Sequence, residues 1–425
     1  MELLRASIIT IGDELLIGQV IDTNSAWMAQ QLNLVGITVS RRVAVGDEWN
    51  AIWSTLDEEL EKSDIILLTG GLGPTADDIT KPLLCEYFGG KLVSDPKVLA
   101  HVTYLFEKVL KRPMIERNIR QADVPDVCTV LHNRNGTAPG MWFEKNNKIV
   151  ASLPGVPHEM KGLMSDEVIP RLLQHFQPPV IVHRTLLTAG IGESFLAERI
   201  NAFETSLPSF IKLAYLPNYG MVRLRLSASG YDKDTIEKIM EEQFTLLQEQ
   251  VADVLVTNKD ESMDQVVARM LLDRRETLGT AESCTGGYIA QLLTSVAGSS
   301  RYYLGSIISY DNQVKKDLLD VPDTTLESEG AVSEATVIQM VKGALAALKT
   351  DYVIATSGIM GPDGGSSRKP VGTVWVAVGN QDEIITQQFH FRFDRRRNIE
   401  LTATNAFNLL RKFIISRGTE KTNSH

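Results

Sequence analysis

Ser283 stands at a predicted corner between a strand and a helix, where its hydroxyl could act as a nucleophile. It lies in the run AESCTGG at residues 281–287, with a short strand pattern before it and apolar residues at helical spacing after it. A helix beginning here would direct free backbone N–H groups at a bound anion or oxyanion. The alternative is that Ser283 only caps this helix. The adjacent Cys284 is a weaker nucleophile candidate, because no histidine lies near it in the sequence.

Lys315 is the candidate base for this serine, since a serine hydroxyl is a weak nucleophile without one. It ends a second predicted strand-to-helix segment, residues 305–315. A lysine accepts a proton near neutral pH only if burial or a neighbouring cation lowers its pKa. Lys316, Tyr310 and the apolar strand could supply that environment. The alternative is an ordinary solvated lysine on a helix surface.

A long glycine-rich loop is the third candidate part of the site. It occupies residues 356–373, between two predicted strands at 352–355 and 373–378. Such loops let backbone amides approach a phosphate closely, and Arg368 and Lys369 would add positive charge. The alternative is a flexible hairpin that binds nothing.

Together these segments closely resemble the nicotinamide-nucleotide amidase domain of the CinA (competence/damage-inducible protein) family, over about residues 260–417. The resemblance implies hydrolysis of the carboxamide of nicotinamide mononucleotide to nicotinate mononucleotide and ammonia, with no metal or other cofactor. It assigns the nucleophile to Ser283, the base to Lys315 and a further catalytic position to Tyr310. The matching substrate-binding positions are Thr285, Gly286, Gly287, Gly358, Gly361, Gly364, Gly365 and Thr373.

The chain departs from the family pattern where a Gly-Asp-Arg signature is expected. It reads FDRRRNI at residues 393–399, so the arginine expected a few positions after Arg395 is Ile399. Arg395 and Arg397 are therefore the candidates for binding the substrate phosphate. The alternative is that the three arginines only form the solvated start of a helix.

Two loops of the first 175 residues also carry groups that suit a nucleotide. Residues 12–24 and residues 69–78, the latter reading TGGLGPTADD, each follow a strand of a predicted parallel sheet, so their glycines and carboxylates should meet at one edge. Glycine amides suit a phosphate, and carboxylates suit Mg²⁺ or a similar cation, although acids here could also only cap turns and helices. The four carboxylates are Glu14, Asp22, Asp77 and Asp78.

This segment resembles the molybdopterin-binding fold of the MoaB/MogA type and the N-terminal domain of the CinA family. The latter resemblance implies metal-dependent hydrolysis of ADP-ribose to AMP and ribose 5-phosphate. Residues 154–159 also match the family, and His158 or Glu159 would either face the site or simply begin a helix. Binding of molybdopterin remains an alternative. The matching nucleotide positions are Asn24, Gly70, Gly71, Gly73, Thr75 and Lys81.

Alternating strands and helices predict an α/β protein with parallel sheets. We expect a MoaB/MogA-like pyrophosphatase domain at residues 1–175 and a small α+β unit, resembling the family's KH-like domain, at 180–255. An α/β amidase domain follows at 260–417, and a polar flexible tail at 418–425. The middle unit lacks the Gly-x-x-Gly loop with which KH modules grip RNA, which favours a structural or dimer-forming role.

The composition of the chain limits the kinds of partner that it can bind. The 425 residues carry a net charge of −10, which argues against a broad nucleic-acid footprint. Three scattered cysteines indicate a reducing cytoplasm, and no apolar run is long enough for a signal peptide or membrane span. We therefore expect a cytoplasmic protein. The family resemblance further implies a homodimer that binds small nucleotides and acts in pyridine-nucleotide salvage with two activities. The alternative is a non-catalytic partner protein in DNA uptake or repair.

Overall fold

The computed structural model describes residues 4–75, 78–218 and 220–422, with only the backbone described for residues 418–422. The chain is an α/β protein, which confirms the predicted class. Its contacts divide it into two compact units, one of residues 1–182 with 227–240 and one of residues 183–226 with 241–425. Within the described ranges, no helix has both the length and the apolarity needed to cross a membrane.

The first sheet has six strands in the order β2-β1-β3-β8-β7-β6, of which β2, β1, β3 and β8 run parallel. Strand β3 is buried along its whole length, as expected where helices cover both faces of a parallel sheet. The strands of this region are β1 (Arg5–Ile11), β2 (Thr38–Val45), β3 (Ile65–Thr69), β4 (Leu92–Ser94), β5 (Asp123–Pro125), β6 (Thr129–Leu131), β7 (Gly140–Lys145) and β8 (Lys148–Leu153). Its helices are α1 (Asp13–Leu16), α2 (Thr23–Leu34), α3 (Trp49–Lys62), α4 (Thr80–Tyr87), α5 (Pro96–Tyr104), α6 (Glu116–Ile119), α7 (Pro157–Leu163) and α8 (Ile169–Phe176).

The second sheet has four strands in the order β10-β11-β9-β12. Strand β11 alternates buried and partly exposed residues, so one face of it packs against a core. The predicted order strand, helix, strand, strand, helix is present, followed by one more strand. The elements are β9 (Val180–Ala189), α9 (Glu193–Ser206), β10 (Ile211–Asn218), β11 (Met221–Gly230), α10 (Lys233–Gln250) and β12 (Leu255–Thr257).

The third sheet has five strands in the order β14-β13-β15-β16-β17. The first three are parallel, so the loops that follow β13, β14 and β15 leave the sheet at one edge. The strands are β13 (Leu278–Glu282), β14 (Tyr303–Ile308), β15 (Tyr352–Gly358), β16 (Thr373–Gly379) and β17 (Ile384–His390). The helices are α11 (Met263–Arg274), α12 (Tyr288–Ser295), α13 (Asn312–Leu319), α14 (Asp323–Ser328), α15 (Glu334–Leu348) and α16 (Arg395–Thr422).

Several elements of this last region differ from the sequence-based prediction. Strand β17 was not predicted. For the long helix α16 only its start, at the three arginines, was considered as an alternative, and the helix buries apolar residues such as Phe407 and Phe413. The backbone of residues 418–422, predicted to be a flexible tail, continues α16 instead. The last three residues lie outside the described ranges.

Helix α15 packs against the sheet and also against α13, the helix that carries Lys315. Its apolar stripe, which includes Val337 and Met340, is buried as its spacing predicts. At Gly343 the two helices approach so closely that a Cβ atom would overlap the backbone of Leu319. This glycine therefore sets the distance between α13 and α15.

We expect Gly343→Ala to lower the free energy of unfolding by about 1–3 kcal/mol, because the added methyl group forces α13 away from α15. Chemical denaturation of the full chain measures this. The control is Gly192→Ala, where a Cβ atom would lie 3.8 Å from its nearest neighbour, Phe195. Equal stability of both variants and the wild type would contradict the packing described here.

Candidate active site

Ser283 and Lys315 meet at the edge of the third sheet. The Nζ atom of Lys315 lies 3.1 Å from the Oγ atom of Ser283. Both side chains are buried, with 8% of Ser283 and 1% of Lys315 exposed. Backbone hydrogen bonds fix the turn that carries the serine on both sides. The amide of Ser283 donates to the backbone oxygen of Thr356 on β15, and the amide of Ser309 donates to the backbone oxygen of Glu282 on β13. The sequence predicted that these two side chains belong together, and in the fold they are in contact.

The amine of Lys315 lies among uncharged acceptors. Besides Ser283, its Nζ contacts the backbone oxygens of Ser309 at 2.7 Å and Tyr310 at 3.2 Å. Burial lowers the pKa of this amine from its usual value, although Asp311 acts in the opposite direction. Lys315 needs a lowered pKa in order to act as a base, and burial lowers it. Burial was the first of the two causes of a lowered pKa considered from the sequence.

Burial raises the pKa of the neighbouring Cys284, whereas it lowers the pKa of Lys315. Cys284 is buried, and burial raises the pKa of its thiol to about 12. A thiol with such a pKa is almost entirely protonated near neutral pH and is a poor nucleophile. This supports Ser283 as the nucleophile of the turn.

Glu282 is a site residue that the sequence analysis did not single out. Its side chain is fully buried beneath the start of α12. Its carboxylate accepts hydrogen bonds from the amides of Gly287 at 2.9 Å, Ile289 at 3.1 Å and Ala290 at 2.8 Å, and from the hydroxyl of Thr285 at 2.7 Å. The prediction that free amides of this helix face a ligand is therefore wrong for those three amides, because Glu282 occupies them.

The remaining residues of the turn divide into supporting and exposed groups. The hydroxyl of Thr285 also contacts Thr356 at 2.8 Å, so this predicted substrate-binding side chain points into the protein. Gly286 and Gly287 adopt φ values of 60° and 97°, a left-handed conformation that favours glycine. Both glycines line an open cleft of about 800 Å³. Within the described chain, the amides of Cys284 and Thr285 have no hydrogen bond to another residue.

Arg395 connects the tyrosine and the glycine-rich loop predicted for this site. Its guanidinium donates to the hydroxyl of Tyr310 at 2.9 Å and to the backbone oxygen of Gly361 at 2.9 Å. Tyr310, predicted to be catalytic, is 62% exposed, so it lies at the mouth of the site while its backbone oxygen contacts Lys315. Arg395 is thus part of the wall of the site.

The glycine-rich loop is partly buried and partly exposed. Gly358 ends β15, and Gly361 is buried beneath Arg395. Gly364 and Gly365 lie in the exposed part of the loop, where backbone amides are accessible. The hydroxyl of Thr373 donates to Pro370 within the loop at 2.7 Å, so this side chain supports the loop.

The three consecutive arginines have different surroundings. Arg395 and Arg396 line the cleft together with Ile399, whereas Arg397 lies over the ring of Phe393 at 4.7 Å. The sequence singled out Arg395 and Arg397 and missed Arg396. Helical spacing was the available signal, because Arg396 and Ile399 are three residues apart on one helix.

The first sheet carries a separate cavity of about 520 Å³ at the glycine loop that follows β3. Its lining includes Gly73, Thr75, Asp78, Lys81, Arg117 and Arg120. Asp78 accepts hydrogen bonds from the amides of Gly73 and Thr75, both at 2.8 Å, so its carboxylate holds the loop closed on itself. Lys81 is 8% exposed, donates to the backbone oxygen of Gln121, and has a pKa lowered to about 8 by burial.

Glu14, Asp22 and Asn24 line a second, smaller cavity of about 150 Å³. Asp22 caps α2 by accepting the amide of Ser25 at 2.9 Å, and Asn24 donates to the backbone oxygen of Gly155 at 2.8 Å. These carboxylates therefore do not meet Asp78, contrary to the expectation from the sequence. Asp77 lies outside the described residues. Among the residues that are described, no group of three or more carboxylates, histidines or cysteines could hold a metal ion.

Gly70 and Gly71 allow close packing beneath this loop. A Cβ atom at Gly70 would overlap the backbone of Ile11, and one at Gly71 would overlap the side chain of Thr80. Their contribution is therefore to let the loop lie against β1 and α4. His158 and Glu159 belong to the first turn of α7, as the helix-start alternative predicted.

Three family profiles match consecutive parts of this chain. They are described as "Probable molybdopterin binding domain" at residues 7–174, "Damage-inducible protein CinA KH domain" at residues 183–256 and "CinA C-terminal domain" at residues 260–414. The resemblance inferred from the motifs is thereby confirmed.

Proteins similar to this chain along nearly its whole length are named CinA-like protein. That of Flavobacterium psychrophilum is 44% identical over 97% of this chain and 99% of its own. That of Cytophaga hutchinsonii is 45% identical over 96% of this chain and 97% of its own. A solved structure of competence damage-inducible protein A from Klebsiella pneumoniae is 34% identical, covering 36% of this chain and 96% of its own with a TM-score of 0.35.

We expect Glu282→Gln to lower the free energy of unfolding by about 3 kcal/mol, because the new amide group would face N–H donors that need an acceptor. Chemical denaturation measures the change. Glu327→Gln, at an exposed position of α14, is the matched control and should stay within about 0.5 kcal/mol of the wild type. A Glu282→Gln variant as stable as this control would show that the carboxylate does not hold the turn.

Proposed function

The chain belongs to the CinA family, and on that premise we propose that its C-terminal region hydrolyses the carboxamide of nicotinamide mononucleotide. The products are nicotinate mononucleotide and ammonia, with Ser283 as nucleophile and Lys315 as base. The observation that carries this proposal is the contact of 3.1 Å between the two buried side chains. The choice of substrate rests on the resemblance of the motifs to the family's amidase domain.

The contacts of Lys315 support its role as a base. A neutral amine has two N–H donors and one lone pair, and two of the three atoms around Nζ are carbonyl oxygens that can only accept. If the two donors point at Ser309 and Tyr310, the lone pair points at the hydroxyl of Ser283. In this arrangement the serine donates its hydrogen to the lysine, which is the direction required for general-base catalysis.

The reaction then proceeds in two steps. Ser283 Oγ bonds to the carboxamide carbon while Lys315 takes the serine proton, and the oxyanion faces the uncommitted amides of Cys284 and Thr285. Collapse of this intermediate breaks the C–N bond, and Lys315 returns the proton to the departing ammonia. Water, activated by the same amine, hydrolyses the acyl-enzyme to the carboxylate and frees Ser283.

For the N-terminal region we propose nucleotide binding, with ADP-ribose as the substrate that the family resemblance suggests. The cavity at the glycine loop supports this, because Lys81, Arg117 and Arg120 offer three cations to a diphosphate. The described carboxylates do not fit a divalent cation there, since Asp78 is bonded to the loop and Asp22 to α2. Molybdopterin binding and a non-catalytic role in competence remain the competing proposals. Because both nucleotides are intracellular metabolites, we assign the protein to the cytoplasm.

We expect purified protein to release ammonia from nicotinamide mononucleotide, and Ser283→Ala and Lys315→Met each to abolish this release. Lys316→Met is the control, because Lys316 is the next residue on α13 and pairs with Asp323 at 2.9 Å. It should retain wild-type turnover. An assay of ammonia in the presence of a chelator tests this, and normal turnover by Lys315→Met would place the base elsewhere.

The lowered pKa of Lys315 predicts the pH dependence of turnover. The amine is a base only when neutral, and its neutral fraction grows as pH rises through its pKa. We therefore expect kcat/KM to rise with pH and to level off below the ordinary lysine value of about 10.4. A pH–rate profile from pH 6 to 11 measures this. A kcat/KM that keeps rising through the ordinary lysine value without levelling off below it would contradict the role of burial.

We expect Lys81→Met to weaken the binding of ADP-ribose by about tenfold or more, because one buried charge–phosphate hydrogen bond is lost. Wild-type affinity should also fall as pH rises above about 8, where the amine of Lys81 loses its charge. Isothermal titration calorimetry measures both effects. Lys91→Met, at an exposed position, is the control. Unchanged affinity of Lys81→Met would exclude this cavity as the nucleotide site.

A further inference from the structure

We propose that Arg396 binds the phosphate of the nucleotide substrate in the cleft beside the serine turn. The proposal rests on the amidase function proposed above and adds the residue that distinguishes a nucleotide from the corresponding nucleoside. Arg396 is three residues before Ile399 and one turn before Glu400 on α16. These three residues line one wall of the cleft, opposite the glycines of the serine turn.

The other two arginines of the series are already engaged. Both terminal nitrogens of Arg395 donate hydrogen bonds, one to Tyr310 and one to Gly361, which fixes its guanidinium against the glycine-rich loop. Arg397 lies over the ring of Phe393 at 4.7 Å. Arginine binds a phosphate best through two parallel N–H groups. Both terminal nitrogens of Arg395 already donate to the protein, and Arg397 is not among the residues that line the cleft.

The guanidinium of Arg396 is available to a ligand in the cleft. Its side chain is 90% exposed, and its single ion pair joins Nε to the carboxylate of Glu400 at 3.2 Å. Pairs of this spacing on a helix surface contribute only about 0.3–0.5 kcal/mol. A phosphate monoester carries up to two negative charges and can therefore displace this carboxylate as the partner of Arg396.

The chemistry of the wall explains why this arginine matters. Ile399 is apolar and half-buried, so it offers the phosphate no donor. Glu400 is acidic and would repel the phosphate. Among the described residues that line the cleft, Arg395 and Arg396 are the cationic side chains. A ligand with a phosphate on this wall consequently needs Arg396, whereas a ligand without one does not.

The test compares nicotinamide mononucleotide with nicotinamide riboside, which has the same carboxamide and ribose but no phosphate. Binding of each compound to the full-length chain is measured by calorimetry, and kcat and KM are measured by ammonia release. We expect Arg396→Ala to weaken binding of the mononucleotide, and to raise its KM, by about tenfold without changing kcat. Binding of the riboside should not change.

Two further variants sharpen the comparison. Arg397→Ala is the matched control, and it should change the binding of neither compound by more than about twofold. Glu400→Gln removes the competing carboxylate, so it should strengthen binding of the mononucleotide several-fold and leave the riboside unaffected.

The outcomes separate this inference from the proposed function. Equal losses for both compounds in Arg396→Ala, or a phosphate-specific loss in Arg397→Ala instead, would overturn the role of Arg396. Failure of the wild type to bind the mononucleotide would overturn it as well. Binding that depends on Arg396 without any release of ammonia would support the phosphate site while refuting the amidase.

Discussion

The buried carboxylate of Glu282 is the interaction on which the C-terminal site depends. A carboxylate without water is stable only when donors surround it, and here three amides at the start of α12 and the hydroxyl of Thr285 do so. These bonds join the end of β13 to the first turn of α12. Because Ser283 lies between them, its backbone has little freedom, and its hydroxyl faces Lys315 on α13.

The neighbours of the buried amine of Lys315 differ from those of the Glu282 carboxylate. Where the carboxylate of Glu282 accepts hydrogen bonds from amides and a hydroxyl, the amine of Lys315 lies among two carbonyl oxygens and one hydroxyl, and burial lowers its pKa. Such a group adds little to stability, and its position requires rigid support. The close contact of α13 with α15 at Gly343 provides that support, which links a helix-packing feature to the chemistry of the site.

In each region a carboxylate accepts hydrogen bonds from the backbone amides of a glycine-rich segment. In the N-terminal region Asp78 binds the amides of its own loop, and the cations that line the cavity are Lys81 and two arginines, beside the carboxylates of Glu116 and Asp123. In the serine turn, whose residues are all described, the carboxylate of Glu282 beneath the helix start leaves the amides of Cys284 and Thr285 uncommitted. A glycine-rich sequence therefore does not by itself make a phosphate site, because a neighbouring acid can satisfy the same amides.

The sequence alone determined the fold class, many strands of the sheets, a smaller share of the helices, and the pairing of Ser283 with Lys315, because apolar periodicity and motif spacing are local properties of the chain. It did not determine β17 or the extent of α16. Strand β17 pairs with β16 at the edge of the third sheet and α16 packs against that sheet, and no local pattern reports these contacts. Helical spacing places Arg396 on the same face as Ile399, but the sequence could not say which face of α16 lines the cleft. Only the tertiary structure decided which arginine faces the cleft and that Asp22 and Asp78 lie apart, because each depends on contacts between distant segments. It also showed that Glu282 occupies the amides of α12, which depends on the conformation of the turn between β13 and α12.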